Sequence, residues 1–142
     1  MTRKVLIIEA RYYDNINNLL LQGAVDALDQ SESAYDVVTV PGALEIPAAL
    51  NFAVKSGKYD AYVLLGCIMR GETTHYDVVQ NESARGVYDL VLKNDLALGN
   101  AILTVENEKQ ALARADRLVQ NKGGEAALVA ITMRDLKQRL LA

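Results

Sequence analysis

Four short segments of the chain consist almost entirely of Val, Ile, Leu and other apolar residues, without the strict alternation of a half-exposed strand. Such runs are typical of strands covered on both faces, as in a parallel sheet. The predicted strands are residues 4–9, 35–40, 61–66 and 101–105.

The segments between these strands place apolar residues at intervals of three and four, the spacing of one helix face. In the first segment this face carries Ile16, Leu19, Leu20, Gly23, Ala24, Ala27 and Leu28. Further helices are predicted over about 43–54, from Thr74 onward, over about 108–119 and over about 124–141. Strands that alternate with helices predict an α/β fold, a three-layer sandwich with right-handed crossovers. No long linker or repeat interrupts it, so residues 1–142 are predicted to form one domain.

Composition narrows the classes of function. The 142 residues carry 15 Lys and Arg against 18 Asp and Glu, a net charge of −3. This balance argues against nucleic acid or an anionic membrane as partner, because both require a basic face. No apolar run approaches a membrane span and no signal peptide is evident. With one Cys and one His there is no cluster of soft metal ligands. We expect a soluble, cytoplasmic protein without a metal.

Unusual residues are concentrated where the predicted strands end, which is where ligands bind in such sheets. Arg70-Gly71-Glu72-Thr73-Thr74-His75 leads from the third strand into a helix. Thr73 or Thr74 can cap that helix, with Asp77 completing a capping box, and the helix start suits a phosphate. An ordinary capped turn is the alternative. The chain's one histidine, His75, is either a general acid/base or a solvated side chain.

Residues at the other strand ends are further candidates for ligand binding, and each of them also has a purely structural interpretation. Gly42 can adopt a positive φ and let a ligand approach, and Glu45 can accept hydrogen bonds from ligand hydroxyls, although Pro-Gly also marks a simple turn. Of Tyr12 and Tyr13, one can stack on a planar heterocycle while the other packs on the core.

The last third of the chain contains two candidate cations. Arg114 can clamp a phosphate, and Lys122 precedes a helix, although solvated charges are common on helix faces. Cys67 is interpreted as a small buried residue rather than a nucleophile. No dinucleotide or nucleoside-triphosphate glycine motif is present.

Taken together and in order, these segments resemble the lumazine synthase family. The resemblance is carried by Ala10-Arg11-Tyr12, Gly23-Ala24, residues 40–47, residues 66–77, Asn81-Glu82, Arg114-Ala115 and Asn121-Lys122-Gly123. It implies a flavodoxin-like fold with a four-stranded parallel sheet, and no cofactor. It also implies the penultimate step of riboflavin biosynthesis: 5-amino-6-(D-ribitylamino)uracil condenses with 3,4-dihydroxy-2-butanone 4-phosphate to give 6,7-dimethyl-8-ribityllumazine, phosphate and water. The family's active sites lie between subunits of a homopentamer. Larger assemblies and a functional link to riboflavin synthase stay open.

The resemblance also implies roles for individual residues. Tyr12 takes the place of the aromatic residue that stacks on the pyrimidinedione, and His75 that of the proton-transfer residue. Pyrimidine and ribityl contacts fall on Ala43, Leu44, Glu45, Cys67, Ile68 and Met69. Phosphate contacts fall on Glu72 and Thr73. Residues supplied across the interface are Asn100, Arg114 and Lys122, with Arg114 on the phosphate and Lys122 near the pyrimidine and ribityl chain.

The sequence departs from the family pattern at several positions. Tyr12 replaces the usual Phe or Trp, Tyr13 a common Asn, and Asn100 a Phe found in many relatives, which predicts a more polar far wall. The residues before the first strand are few, which puts an N-terminal contact with a neighbouring subunit in doubt.

Three other classes of protein share part of this pattern. A flavin- or lumazine-binding module without turnover could dispense with His75 and Arg114, and a phospho-receiver needs more acids than Glu9 after its first strand. A structural shell role is compatible with an intact active site.

Overall fold

The computed structural model describes residues 3–71 and 74–142. These residues form one four-stranded sheet, with β1 at Lys4–Ala10, β2 at Tyr35–Val40, β3 at Tyr59–Met69 and β4 at Leu98–Val105. The order is β2-β1-β3-β4 and every pairing is parallel. The predicted parallel sheet is therefore confirmed. The expectation that every strand is covered on both faces is wrong for β2, because it lies at the edge of the sheet and its Val37, Val38 and Thr39 are exposed. Strand β3 extends past the predicted residue 66 because its pairing continues to Met69, which lies against Val105, and β4 begins at Leu98 rather than residue 101 because Leu98 already pairs with Tyr62.

Five α-helices among the described residues cover the sheet: α1 at Asp14–Gln30, α2 at Ile46–Ser56, α3 at His75–Asn94, α4 at Glu108–Ala115 and α5 at Lys122–Leu141. Helices α1, α4 and α5 pack together on one face, and α2 and α3 pack on the other. This is the flavodoxin-like three-layer arrangement. None of the helices in the described ranges has the length and apolar character needed to cross a membrane.

The continuous apolar runs are explained by the two cores. Successive residues of β1 point to opposite faces, so Val5 and Ile7 join the core beneath α1 and α5 while Leu6 and Ile8 join the core beneath α2. All four side chains are almost completely buried. A strand covered on both faces cannot alternate with polar residues, which is why this pattern identified the sheet.

The boundary between the last two helices differs from the prediction. Helix α4 ends at Ala115 rather than near residue 119, because Asp116 has an extended backbone with ψ at 124°. Helix α5 begins at Lys122 rather than near residue 124, and the Asn121 side chain caps it by accepting from the Gly124 N–H at 3.2 Å. The connection therefore leaves Leu118 and Val119 exposed.

A close approach between α1 and α5 explains one glycine at the start of α5. A β-carbon added at Gly123 would lie 2.9 Å from the carbonyl carbon of Leu20 on α1. That is closer than real β-carbons come, so any side chain here would push the two helices apart. The packing of α5 in turn places Lys122 beside the sheet.

Candidate active site

A pocket of about 400 Å³ lies beyond the carboxyl ends of β1, β2 and β3. It sits where β1 is flanked by β2 on one side and β3 on the other, the position at which open α/β sheets bind ligands. We call it the strand-end pocket. Its described lining consists of residues 12, 13, 41–45, 67–69, 71, 75, 76 and 79. Eight of the predicted site residues are among them: Tyr12, Ala43, Leu44, Glu45, Cys67, Ile68, Met69 and His75.

The two tyrosines after β1 have different environments. Tyr12 is 73% exposed and its ring is available to a ligand, whereas Tyr13 is half-buried against the core. Their rings meet edge to face, with centroids 4.9 Å apart. Burial raises the pKa of the Tyr13 hydroxyl. Tyr13 is thus the packing member of the pair, and it supports Tyr12 at the mouth of the pocket.

An ion pair at the end of β1 holds the segment that carries Tyr12. The Glu9 carboxylate is only 4% exposed, and it accepts from Arg11 Nε at 3.1 Å and from Thr39 Oγ1 at 2.7 Å. Arg11 Nη1 also donates to Asn18 Oδ1 at 2.8 Å. Arg11 therefore connects the end of β1 to α1 and, through Glu9, to β2. No role was predicted for Arg11 from the sequence.

The turn after β2 brings a carboxylate to the rim of the strand-end pocket. Residues Ala43–Glu45 form a single 3₁₀ turn, with Ala43 buried and Leu44 and Glu45 exposed. The expectation of a positive φ at Gly42 is wrong, because its backbone is extended at φ −153°. Space does not require glycine there either: an added β-carbon would lie 3.2 Å from Glu45 Oε1, the end of an exposed side chain that can move by the few tenths of an ångström needed.

The end of β3 forms the apolar floor of the pocket. Cys67 and Ile68 are buried and Met69 is half-buried. Burial raises the pKa of the Cys67 thiol to about 11. A thiol with that pKa is almost entirely protonated at neutral pH, so it is a poor nucleophile, in agreement with its interpretation as a small buried residue.

Helix α3 begins at the side of the pocket with His75, whose side chain is exposed. The predicted capping box is wrong. Thr74 is the residue before the helix, but its side chain makes no capping hydrogen bond, because its φ of −74° and ψ of 1° are not the extended backbone that a capping side chain requires. The predicted phosphate contacts Glu72 and Thr73 lie outside the described residues.

Arg70, the residue after β3, contacts one residue that follows β4 and one residue of α3. Arg70 Nε lies 3.0 Å from the Glu106 carboxylate, and the guanidinium carbon of Arg70 lies 4.4 Å from the centre of the Tyr76 ring. Tyr76 is buried and lines the pocket next to His75. No role was predicted for Tyr76, because its contact with Arg70 forms only in the tertiary structure.

The three remaining predicted residues meet in a second depression of about 400 Å³. We call it the edge groove, because it runs along β4, an edge strand of the sheet. Its described lining consists of residues 88, 98, 100–104, 114, 122, 125, 126 and 129, which include Asn100, Arg114 and Lys122. Its described residues and those of the strand-end pocket have no member in common.

The edge groove carries two cations and one acid among its described residues. Arg114 Nη1 donates to the Gln110 carbonyl oxygen at 3.2 Å, which fixes the guanidinium on α4. Lys122 Nζ lies 3.2 Å from Glu125 Oε2 within the first turn of α5. The positive charge that was predicted for the interface is therefore gathered on one surface.

Comparison with known proteins identifies the family. A family model described as 6,7-dimethyl-8-ribityllumazine synthase matches residues 2–138. The chain belongs to the lumazine synthase family. It is 58% identical over 137 residues to 6,7-dimethyl-8-ribityllumazine synthase of Bartonella henselae, covering 95% of this chain and 88% of that protein. It is 57% identical over 135 residues to the protein of the same name from Sphingopyxis alaskensis, covering 95% of each. It is also 55% identical over 141 residues to 6,7-dimethyl-8-ribityllumazine synthase 1 of Rhizobium meliloti, covering 96% of this chain and 92% of that protein.

In this member of the lumazine synthase family, the predicted residues thus form two groups on different parts of the surface. His75 is in the strand-end pocket, and Arg114 is in the edge groove. Within residues 3–71 and 74–142, no three His, Cys, Asp or Glu side chains are grouped to hold a metal ion.

Proposed function

We propose that this chain condenses 5-amino-6-(D-ribitylamino)uracil with 3,4-dihydroxy-2-butanone 4-phosphate to 6,7-dimethyl-8-ribityllumazine, releasing phosphate and water, at an active site shared between two copies. Family membership over residues 2–138 supports the reaction. The observation that carries the shared site is the separation of the predicted residues into a pocket and a groove without a common lining residue.

The strand-end pocket fits the pyrimidine substrate. Tyr12 offers an exposed ring on which the heterocycle stacks. Cys67 and Ile68 supply an apolar floor, and the Glu45 carboxylate at the rim accepts hydrogen bonds from ribityl hydroxyls. A planar heterocycle with a polyhydroxylated chain matches this combination of an aromatic face, an apolar floor and an acceptor.

The edge groove of the neighbouring copy fits the butanone phosphate. Arg114 presents a guanidinium suited to phosphate oxygens, and Lys122 adds a second positive charge beside it. In the pocket, the start of α3 contributes the positive end of a helix dipole. Phosphate leaves as an anion, so both features stabilise charge that increases in the transition state.

His75 is the proposed proton-transfer residue. The arylamine nitrogen attacks the ketone carbon, the carbonyl oxygen takes a proton, and loss of water then gives the imine. An imidazole can donate and accept these protons near neutral pH. His75 lies at the pocket wall beside Tyr76, where the shared site would bring the two substrates together. The remaining acceleration comes from holding both substrates in register.

The proposal includes a cyclic homopentamer of single-domain subunits, working in the cytoplasm. A cyclic ring repeats one heterologous interface, so each strand-end pocket meets the edge groove of the next copy. Such a ring has as many active sites as subunits. The product would pass to riboflavin synthase, a functional link that needs no contact between the two proteins.

The reaction is tested by mixing the purified chain with both substrates and following the fluorescence of the lumazine. We expect product in the presence of both substrates and none when either is omitted. No product from the assembled wild-type chain would refute the proposed reaction.

Two variants test the roles within it. We expect His75→Ala to lower turnover with the assembly intact by light scattering, and unchanged turnover would exclude the proton-transfer role. We expect Arg114→Ala to raise the KM for the butanone phosphate much more than the KM for the pyrimidine. Equal effects on both substrates would remove Arg114 from the phosphate site.

A further inference from the structure

Besides its two cations, the edge groove has an aromatic side chain on its wall. Binding of a phosphate by the cations does not explain why an aromatic side chain is there. Tyr88 of α3 lines the groove together with Arg114 and Lys122, and it is 46% exposed. It is the only aromatic side chain among the described residues that line the groove. A partly exposed ring beside cationic groups is suited to a planar heterocycle rather than to a small aliphatic phosphate.

The hydroxyl of Tyr88 is held in place by Asn100 on the neighbouring strand. Asn100 Oδ1 accepts from the backbone N–H of Ile102 at 2.8 Å, and Asn100 Nδ2 donates to the Tyr88 hydroxyl oxygen at 3.3 Å. The first bond fixes which way the amide faces, because turning it over would place Nδ2 against the Ile102 N–H. The amide nitrogen is therefore kept toward Tyr88.

This arrangement determines what the hydroxyl can offer to a ligand. A tyrosine hydroxyl has one hydrogen to donate and lone pairs to accept with. Because the Tyr88 oxygen accepts from Asn100, its own hydrogen is left to point into the groove toward an acceptor. A carbonyl oxygen of a pyrimidinedione ring is such an acceptor, and the flat ring that carries it can lie against the Tyr88 ring.

We propose that Tyr88 is a further substrate-binding residue, which contacts the pyrimidine held in the strand-end pocket of the adjoining copy and donates to one of its ring carbonyl oxygens. Asn100 acts through Tyr88 and is a positioning residue. This inference rests on the proposed function. It adds a residue of the edge groove that contacts the heterocycle on the side opposite the strand-end pocket. Tyr12 and Tyr88 then enclose the ring between aromatic side chains of two copies.

The test is calorimetric titration of 5-amino-6-(D-ribitylamino)uracil into the wild-type assembly and into three variants: Tyr88→Phe, Asn100→Ala and the double variant. We expect each single change to weaken binding roughly three- to tenfold, the loss of one hydrogen bond. We expect the double variant to be no weaker than the weaker single variant, because both changes remove the same contact. The KM for the butanone phosphate should stay within about twofold.

Tyr59→Phe is the matched control. It also removes a tyrosine hydroxyl, which donates to Asp36 at 2.8 Å, but Tyr59 is at the opposite end of the sheet where β3 begins. We expect its affinity for the pyrimidine to equal that of the wild type. Light scattering confirms that every variant is assembled before titration.

The remaining outcomes separate this inference from the proposed function. If the wild type binds the pyrimidine and makes product while Tyr88→Phe binds equally well, the hydrogen bond from Tyr88 is refuted and the proposed function stands. If the double variant weakens pyrimidine binding by the product of the two single-variant factors, Asn100 does not act through Tyr88. If the wild type neither binds the pyrimidine nor makes product, the proposed function fails and this inference fails with it.

Discussion

Because the ring of Tyr12 is exposed, removing it should weaken binding of the pyrimidine much more than it lowers the stability of the folded chain. Tyr12 is 73% exposed and its only aromatic neighbour among the described residues is Tyr13, at 4.9 Å between centroids. Replacing it with Ala therefore removes little from the folded protein. We expect the free energy of unfolding of Tyr12→Ala to fall by less than about 1.5 kcal/mol, the upper end of the range for one aromatic pair.

The effect of Tyr12→Ala on the pyrimidine should be much larger. A heterocycle lying on one face of the ring covers roughly 60 Å² of apolar surface, which contributes about 1.5 kcal/mol at 25 cal/mol per Å². Ring stacking adds about 0.5 kcal/mol or more. The sum of about 2 kcal/mol corresponds to a roughly thirtyfold weaker affinity. Calorimetric titration of the pyrimidine measures this directly, and the KM from the lumazine fluorescence assay should follow it.

Two further variants are needed to interpret the result. Tyr12→Phe keeps the ring and should bind within about threefold of the wild type, since the stacking area is unchanged. Phe52→Ala removes a 70% exposed aromatic residue of α2, outside the described lining of the strand-end pocket, and should leave the affinity unchanged. An effect of less than about threefold in Tyr12→Ala, or an equal effect in Phe52→Ala, would refute the stacking argument.

Three other predictions follow from the packing and the site. Gly99→Ala should lower the free energy of unfolding, measured by thermal melting, by about 2 kcal/mol or more, because the added methyl would lie 2.6 Å from the carbonyl carbon of Ala126 on α5. Gly66→Ala is the control: its added methyl would lie 3.4 Å from the Ala10 side chain, so it should lower the free energy of unfolding clearly less. Arg11→Met should destabilise the chain by about 3 kcal/mol, because it leaves the buried Glu9 carboxylate without its cation, and a melting temperature equal to the wild type would contradict that role. Cys67 should react with iodoacetamide at pH 8 at least about a hundredfold more slowly than a free thiol does. Its rate of reaction should rise roughly tenfold with each pH unit until the pH reaches the Cys67 pKa of about 11. Fast labelling at pH 8 would contradict the burial of Cys67.

The central strands β1 and β3 were predictable from the sequence because both of their faces are covered, whereas the edge strand β2 has a similar apolar run with Val37 and Val38 exposed. Strand β1 has no exposed face, so its continuous apolar run separates it from the helices. The rule that ligands bind beyond strand ends then placed Tyr12, Glu45 and His75 in one pocket without knowledge of any contact. Each of these residues follows a different strand, so knowing which strand end carries each residue was sufficient.

Features that depend on tertiary contacts were not predictable. Apolar residues continue past Ala115 at helical intervals, yet α4 stops there, and Leu118 is left exposed on the connection to α5. Likewise nothing in the sequence indicates that Tyr88 meets Asn100, because their contact depends on how α3 packs beside β4. The capping box failed for a related reason: a suitable residue spacing does not ensure the backbone angles that capping requires.

The shared active site is the central claim, and subunit mixing tests it most directly. The chain with His75→Ala keeps an intact edge groove, and the chain with Arg114→Ala keeps an intact strand-end pocket. In rings assembled from equal amounts of both, about one interface in four joins an intact pocket to an intact groove. At a butanone phosphate concentration well below the KM of the Arg114 variant, the account predicts about a quarter of the wild-type rate from the mixture. A rate no higher than the average of the two variants alone would contradict it.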